Sequence, residues 1–192
     1  TLEAILARSD LIDIGIDGGG LDDMLGLTVL GRDMYSGKWL SWSRAWIHEI
    51  VLRERRQAEA PRFRDFAAQG DLIIIPDDSE QDIADVAAIA HQIVATGLLD
   101  KVGVDPVGIG AIVDALVDES CGVELDQIVG VSQGWKLTGA IKTAERKLAS
   151  GSLLHSGAPL TAWGVGNCKA EPKGNAVLIT KQASGFAKID PV

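Results

Sequence analysis

Two short apolar runs each end on an aspartate followed by turn residues. IGIDGGG places Asp17 before three glycines, and VGVDPVGIG places Asp105 before Pro106. A third acid, Asp190 in AKIDPV, comes close to the last residue. A carboxylate at the mouth of a buried strand is costly unless it is paired, hydrogen-bonded or metal-bound. Two or three such groups brought together would offer hard oxygen ligands, which suit magnesium or manganese better than zinc. A pair of divalent ions about 4 Å apart supports in-line phosphodiester cleavage, one activating water and the other stabilising the leaving oxygen. The plainer alternative is that each aspartate caps the turn or helix that follows it. Gly18–Gly20 would let backbone and substrate approach closely, and Gly108 and Gly110 open a helix whose N-terminus could face a phosphate. Asp22 and Asp23 follow the glycine turn, either supporting such a site or solvating the loop.

Other chemistries find less support. His48, His91 and His155 are isolated in sequence, His91 in an amphipathic helix and His155 in a turn, and each reads as a surface or capping residue. There is no HExxH, no Cys/His zinc spacing and no GxSxG nucleophile turn. GRDMYSGK is one residue too long for a phosphate loop, has Trp39 where Ser or Thr is needed, and lies between two strands. Cys121 and Cys168 form no metal motif and read as free thiols in a reducing compartment, one disulfide being the alternative.

The elements that must position the acids follow from periodicity. Residues 11–17 read as a buried strand, and 24–31 and 38–46 as a hairpin around the DMYSG turn. Residues 48–69 read as an arginine-rich helical stretch broken at Pro61, and 71–76 as a strand. A helix spans 79–97, opened by Ser79 and closed by Gly97. Strand 101–105, helix 108–120, strand 127–133, helices 134–151 and 159–167, and a strand over 175–182 that closes the sheet complete the order. An antiparallel meander followed by alternating helices and strands predicts an α/β fold with a mixed sheet and helices on both faces. Trp39, Trp42 and Trp46 read as packing residues of their strand.

At 192 residues the chain has the length of one domain with a real core, and 46% apolar against 23% charged residues is ordinary for a globular protein. No apolar run reaches the roughly 20 residues of a membrane span, and TLEAILARSD lacks a signal-peptide layout. The net charge of −9 is unevenly spread: residues 1–133 carry −14, and residues 134–188 carry +6. A locally basic surface suffices for a polyanion, although lysines that merely solvate helix faces give the same count. Trp135 beside Lys136, with Lys142, Arg146 and Lys147 following, is the best candidate for nucleic-acid contact.

Taken in order, IGIDGGGLDDMLGLTVLG, VGVDPVGIGAIVDAL, IVGVSQGWKLTGAIKTAERKLASGSLLHSGAPLTAWGVGN and GNAVLITKQASGFAKIDP resemble the C-terminal nuclease domain of the large terminase subunit of tailed bacteriophages and prophages. The resemblance runs from about Leu11 to the end. It implies an RNase H-like fold and a two-metal endonuclease, using magnesium or manganese, that cuts concatemeric viral double-stranded DNA during genome packaging. By the same resemblance Asp17, Asp105 and Asp190 are the catalytic acids and metal ligands, with Asp23 a further ligand. Trp135, Lys136, Lys142, Arg146, Lys181 and Lys188 are the candidate DNA contacts. The implied partners are duplex DNA, a packaging ATPase domain in the same polypeptide, the small terminase subunit and the portal, in the cytoplasm of a bacterial host and without a membrane.

No Walker A motif is present, so residues 1–192 are expected to be a single nuclease domain, the ATPase domain lying upstream of Thr1. The family continues past KIDP into a helix, whereas this sequence stops two residues after Asp190. Two other readings stand beside the terminase: a non-catalytic DNA-binding or docking module on the same fold, and another RNase H-like nuclease such as a resolvase or transposase core.

Overall fold

Ile12, Ile14 and Ile16 alternate with Asp13, Gly15 and Asp17, and a period of two gives a strand with one core face. This strand, β1 (Ser9–Gly18), is the middle of the molecule in the computed structural model, which describes residues 1–21, 23–106, 110–132 and 134–181. Before it comes α1 (Leu2–Arg8), whose N-cap Thr1 accepts the Ala4 N–H at 3.3 Å and which buries Leu2 and Ile5. β2 (Leu25–Asp33) and β3 (Trp39–His48) pair in unbroken register from Leu25 opposite Trp46 to Arg32 opposite Trp39. The buried Asp33 holds their turn: its carboxylate accepts the Tyr35 and Ser36 N–H groups at 3.0 and 2.8 Å and pairs with Arg8 of α1.

A π-helical turn over Val51–Arg55 leads into α2 (Ala60–Ala68) and β4 (Leu72–Ile75). Then come α3 (Gln81–Val94), β5 (Leu99–Val104), α4 (Gly110–Val117) and the short β6 (Ile128–Gly130). A 3-10 turn (Gly134–Leu137) runs into α5 (Thr138–Ala149), followed by β7 (Leu153–His155), α6 (Pro159–Asn167), β8 (Cys168–Lys173) and β9 (Ala176–Lys181).

The main sheet has the order β4-β3-β2-β1-β5-β6, with β7 also paired to β3. β2 is antiparallel to both its neighbours, and the remaining pairs are parallel. The C-terminal ends of β1, β3, β4, β5 and β6 therefore share one edge. On one face Ile14, Ile16, Leu27, Val102 and Val104 pack with Val86, Ile89 and Ile93 of α3 and with Ile112 and Leu116 of α4. On the other, Ala45, Ile47 and Leu72 pack with Phe63 and Phe66 of α2 and Leu160 of α6. Trp163 meets Phe63 there edge-on at 5.5 Å. Each fully buried side chain of this size contributes roughly 1.5–3 kcal/mol. A mixed sheet with helices on both faces in this strand order is the RNase H-like α/β fold the sequence led us to expect.

Several expectations need correction. The helical stretch 48–69 is in two pieces, as expected, but His48 belongs to β3, and the break falls over residues 56–59, so that Pro61 sits in the first turn of α2. The first turn needs no N–H from that residue, so proline starts a helix without cost. The strand over 175–182 does not close the main sheet: among the described residues β9 pairs with β8 alone, as a separate antiparallel hairpin. His155 ends a strand rather than lying in a turn, and His48 is buried rather than on the surface. Both cysteines are free thiols, Cys121 buried and Cys168 half-buried. Trp46 is buried, and Trp42 packs against the same core.

Candidate active site

β1 and β5 are parallel neighbours with Ile16 opposite Val104. The next residue on each chain is Asp17 and Asp105, so the two acids stand side by side at the shared C-terminal edge. Adjacent strands lie about 4.8 Å apart, which puts the two Cα atoms about 5 Å from each other. Ile16 and Val104 both enter the core beneath α3 and α4, so by strand alternation the two carboxylates project from the opposite face. Both residues are half-buried.

The turn after Asp17 needs glycine. Gly18, Gly19 and Gly20 have φ of 80°, 113° and 90°, in the left-handed half of backbone space that other residues seldom enter. The Gly19 N–H donates to the Met24 carbonyl at 3.1 Å and closes the loop. Asp23 is thereby held at the same sheet edge, half-buried, with its Oδ1 accepting the Met24 N–H at 2.8 Å. Asp22, Gly108 and Asp190 lie outside the described residues.

The sheet beneath Asp17 is low, while the Val131 side chain overlies Gly103 beneath Asp105. Gly15 and Gly103 are opposite each other, Gly26 is opposite Asp17, and Thr28 and Ser43 share a hydroxyl contact of 2.8 Å. A Cβ built on Gly15 would meet nothing within 4 Å. Asp13, on the same side of β1, accepts the Lys101 N–H at 3.2 Å, and burial outweighs that bond and pushes its carboxyl above the ordinary aspartate range.

Half-buried aspartates on adjacent parallel strands fit a hard divalent cation. Among the described residues no group of three or more His, Cys, Asp and Glu is assembled. Asp17 and Asp105 are thus brought together, Asp23 is placed on their edge, and the place of Asp190 lies outside the description.

The sequence missed a buried polar pair on that edge. His48, the last residue of β3, sits 3.7 Å from the Asp82 carboxylate of α3 through Nε2 and 3.1 Å from the Pro76 carbonyl through Nδ1. It shares a face with Trp46, whose indole N–H donates to Asp85 at 2.8 Å, and so lies across the sheet from the acid pair. No motif spacing connects residues 48 and 82, and only the register of β3 with its neighbours brings the pair to this edge.

The candidate DNA contacts fall on one stretch. Trp135 is 65% exposed on the 3-10 turn, with Lys136 exposed beside it, and Lys142 and Arg146 are exposed one turn apart on α5. Lys181 ends β9, while Lys188 lies outside the described residues.

No family model matches the sequence, and no curated protein does. The fold matches solved structures. One is the crystal structure of the HK97 bacteriophage large terminase, at a TM-score of 0.74 and 20% identity over 99% of this chain. This chain spans 40% of the length of that protein. Another is the nuclease domain of g2p, the large terminase of bacteriophage SPP1, with bound Mn, at a TM-score of 0.45 and 15% identity over 94% of this chain and 82% of that one. The first likeness shows a shared fold; the second is too distant to carry weight. No described helix is long and apolar enough to cross a membrane.

Proposed function

We propose that the chain is a divalent-metal-dependent endodeoxyribonuclease domain of the terminase type, cutting double-stranded viral DNA during packaging. The observation that carries this reading is the acid pair: Asp17 and Asp105 at the ends of adjacent parallel strands, on the face away from the α3 and α4 core. Asp17 and Asp105 would hold magnesium or manganese, with Asp23 beside them and Asp190 as a third ligand by resemblance. Bound there, the cations supply Lewis acidity to the scissile phosphodiester and its attacking water. The carboxylates would fix the position of that charge, and the glycine turn 18–20 lets a phosphate backbone come close. The fold shared with the phage large terminase supports the same class. On this reading the packaging ATPase domain, the small terminase subunit and the portal are partners of the whole protein.

The test is nicking of supercoiled plasmid with magnesium or manganese by wild type, Asp17→Asn and Asp105→Asn. The expected result is cleavage by wild type and a loss of at least a hundredfold in both variants. Full activity in either variant would falsify the assignment. A non-catalytic DNA-binding module is the second reading, which the exposed basic side chains of α5 also suit. It predicts no metal-dependent cleavage by wild type and DNA binding that weakens steeply with salt.

A further inference from the structure

α5 carries a cluster of basic side chains, one of which, Lys147, is half-buried over the Trp39 ring. Lys142, Thr143, Arg146 and Lys147, with Ser150 and Ser152 just beyond, line an open recess of about 430 Å³. Among the described residues none of Lys142, Arg146 and Lys147 is in an ion pair, although Glu145 is their neighbour on the helix. α5 fully buries no residue and half-buries Thr138, Ile141 and Lys147, so it lies on the surface of the fold rather than in its core. Cations in a last turn do favour the helix dipole, which accounts for Arg146 and Lys147 but not for Lys142 a turn earlier. The recess is also fixed in place. Ser152 N–H donates to the Lys147 carbonyl at 2.8 Å, Trp39 N–H donates to the Ser152 carbonyl at 2.8 Å, and the Lys147 ammonium lies 5.5 Å from the Trp39 ring.

Trp39 gives the recess a distance from the acids. Its neighbour Leu40 enters the core beneath α3, as Ile16 does, so Trp39 and Asp17 face the same side of the sheet. Ala45 registers with Gly26, and Gly26 with Asp17. Trp39 stands six residues before Ala45 on β3, about 20 Å along the strand, and two strands across, about 10 Å. The recess therefore sits a little over 20 Å from the acid pair, or about six to seven base pairs at 3.4 Å per step.

We propose that this recess is a phosphate-backbone anchor, gripping the duplex about six to seven base pairs from the bond that the acid pair addresses. The proposal rests on the nuclease reading for its distance, but not for its ligand. Three cations on phosphates give a salt-dependent grip with no sequence preference, while the hydroxyls of Thr143 and of Ser152, the latter accepting from Ser150 at 2.9 Å, offer neutral hydrogen bonds to the same oxygens.

Binding is read without metal, by fluorescence anisotropy on a 24-base-pair duplex across a salt series. Wild type is compared with the triple variant Lys142→Gln, Arg146→Gln, Lys147→Gln and with Lys142→Gln/Arg146→Gln, which leaves the Trp39 contact in place. The expected result is at least tenfold weaker binding by the triple variant at 0.1 M salt. The slope of log affinity against log salt should fall by about 3 in the triple and about 2 in the double variant, near 0.9 per phosphate lost. Unchanged slopes in the double variant, which keeps its fold, would overturn the anchor. So would polyglutamate that binds wild type as tightly as the duplex does, because the recess would then read an acidic protein. Where wild type cleaves, the triple variant should raise KM on the 24-base-pair substrate with kcat unchanged, and leave KM unchanged on a 10-base-pair hairpin cut at its centre. Equal KM effects on both substrates would refute the distance. If wild type does not cleave, the nuclease reading fails while the anisotropy series still decides the anchor.

Discussion

Asp17→Asn should make the metal-free protein more stable, not less. The two carboxylates stand on Cα atoms about 5 Å apart at a half-buried edge. At that spacing two like charges repel by about 0.8 kcal/mol in bulk water and about 3 kcal/mol at the effective dielectric of a protein surface site. A half-buried pair falls between, so relief of this repulsion alone is worth about 1–2 kcal/mol to a variant that neutralises one member. Asn keeps the shape and one carbonyl acceptor, so little packing changes. For a chain of this size each kcal/mol moves the melting temperature by about 2–4 °C, which predicts a rise of about 2–8 °C in EDTA.

Manganese should reverse the order. A cation that binds only the folded state at a hundred times its Kd adds about 2.7 kcal/mol, and the variant, lacking one ligand, should gain far less. The assay is thermal unfolding by circular dichroism, in EDTA and across a manganese titration, for wild type, Asp17→Asn and Asp105→Asn. Two outcomes refute the reasoning: variants that melt below wild type in EDTA, or a manganese shift of the same size in all three proteins. The first would mean that the carboxylates stabilise the fold as caps, the second that the cation binds elsewhere.

Gly31→Ala should cost about 1–3 kcal/mol in urea unfolding, because a Cβ there collides with the Ser9 and Ile5 side chains where α1 lies on β2. Gly15→Ala is its control and should be within about 1 kcal/mol of wild type, since its Cβ enters open space; equal losses at both sites would mean that α1 is not packed as described. Asp33→Asn tests a pH dependence. The Ser36 N–H, with further help from the Ser36 hydroxyl, the Tyr35 N–H and Arg8, holds the Asp33 carboxyl below the usual aspartate range. A carboxyl lowered in the folded state contributes stability above its unfolded pKa of about 4 and loses it as pH falls through the lower folded value. Wild type should therefore melt above Asp33→Asn at pH 7, and the gap should narrow steadily below pH 4; a gap independent of pH would show that charge is not the cause.

What the sequence made legible was whatever a short period announces. Ile12, Ile14 and Ile16 declared β1, and the DMYSG turn declared the β2–β3 hairpin. α1 went unread because seven residues with two buried positions, Leu2 and Ile5, are too few to show a helical period. β7 is three residues long and β8 reads CKAEPK, with neither apolar alternation nor a core to face. β9 was legible as a strand, but the partner of a strand is not written in its own residues: NAVLITKQ suits a central sheet as well as the outlying hairpin it joins. His48 was drawn into a helix by the arginines after it, yet it ends β3 and is buried against Asp82.

The acid pair shows most clearly where such reading stops. Each aspartate was visible as an oddity at the end of an apolar run, and both could have been ordinary caps. Their pairing depends on register, which no local pattern states: Ile16 must lie opposite Val104 in parallel strands for residues 17 and 105 to meet. Register also fixes the face. With Ile14, Ile16, Val102 and Val104 in one core, a slip of one residue in either strand would turn its aspartate inward against α3 and α4 and its aliphatic residues outward. Burying one carboxylate in that core would cost several kcal/mol, in addition to the apolar burial lost. The hydrophobic alternation that stabilises the sheet is thus the same constraint that aligns the two acids, and the site follows from the core rather than being added to it.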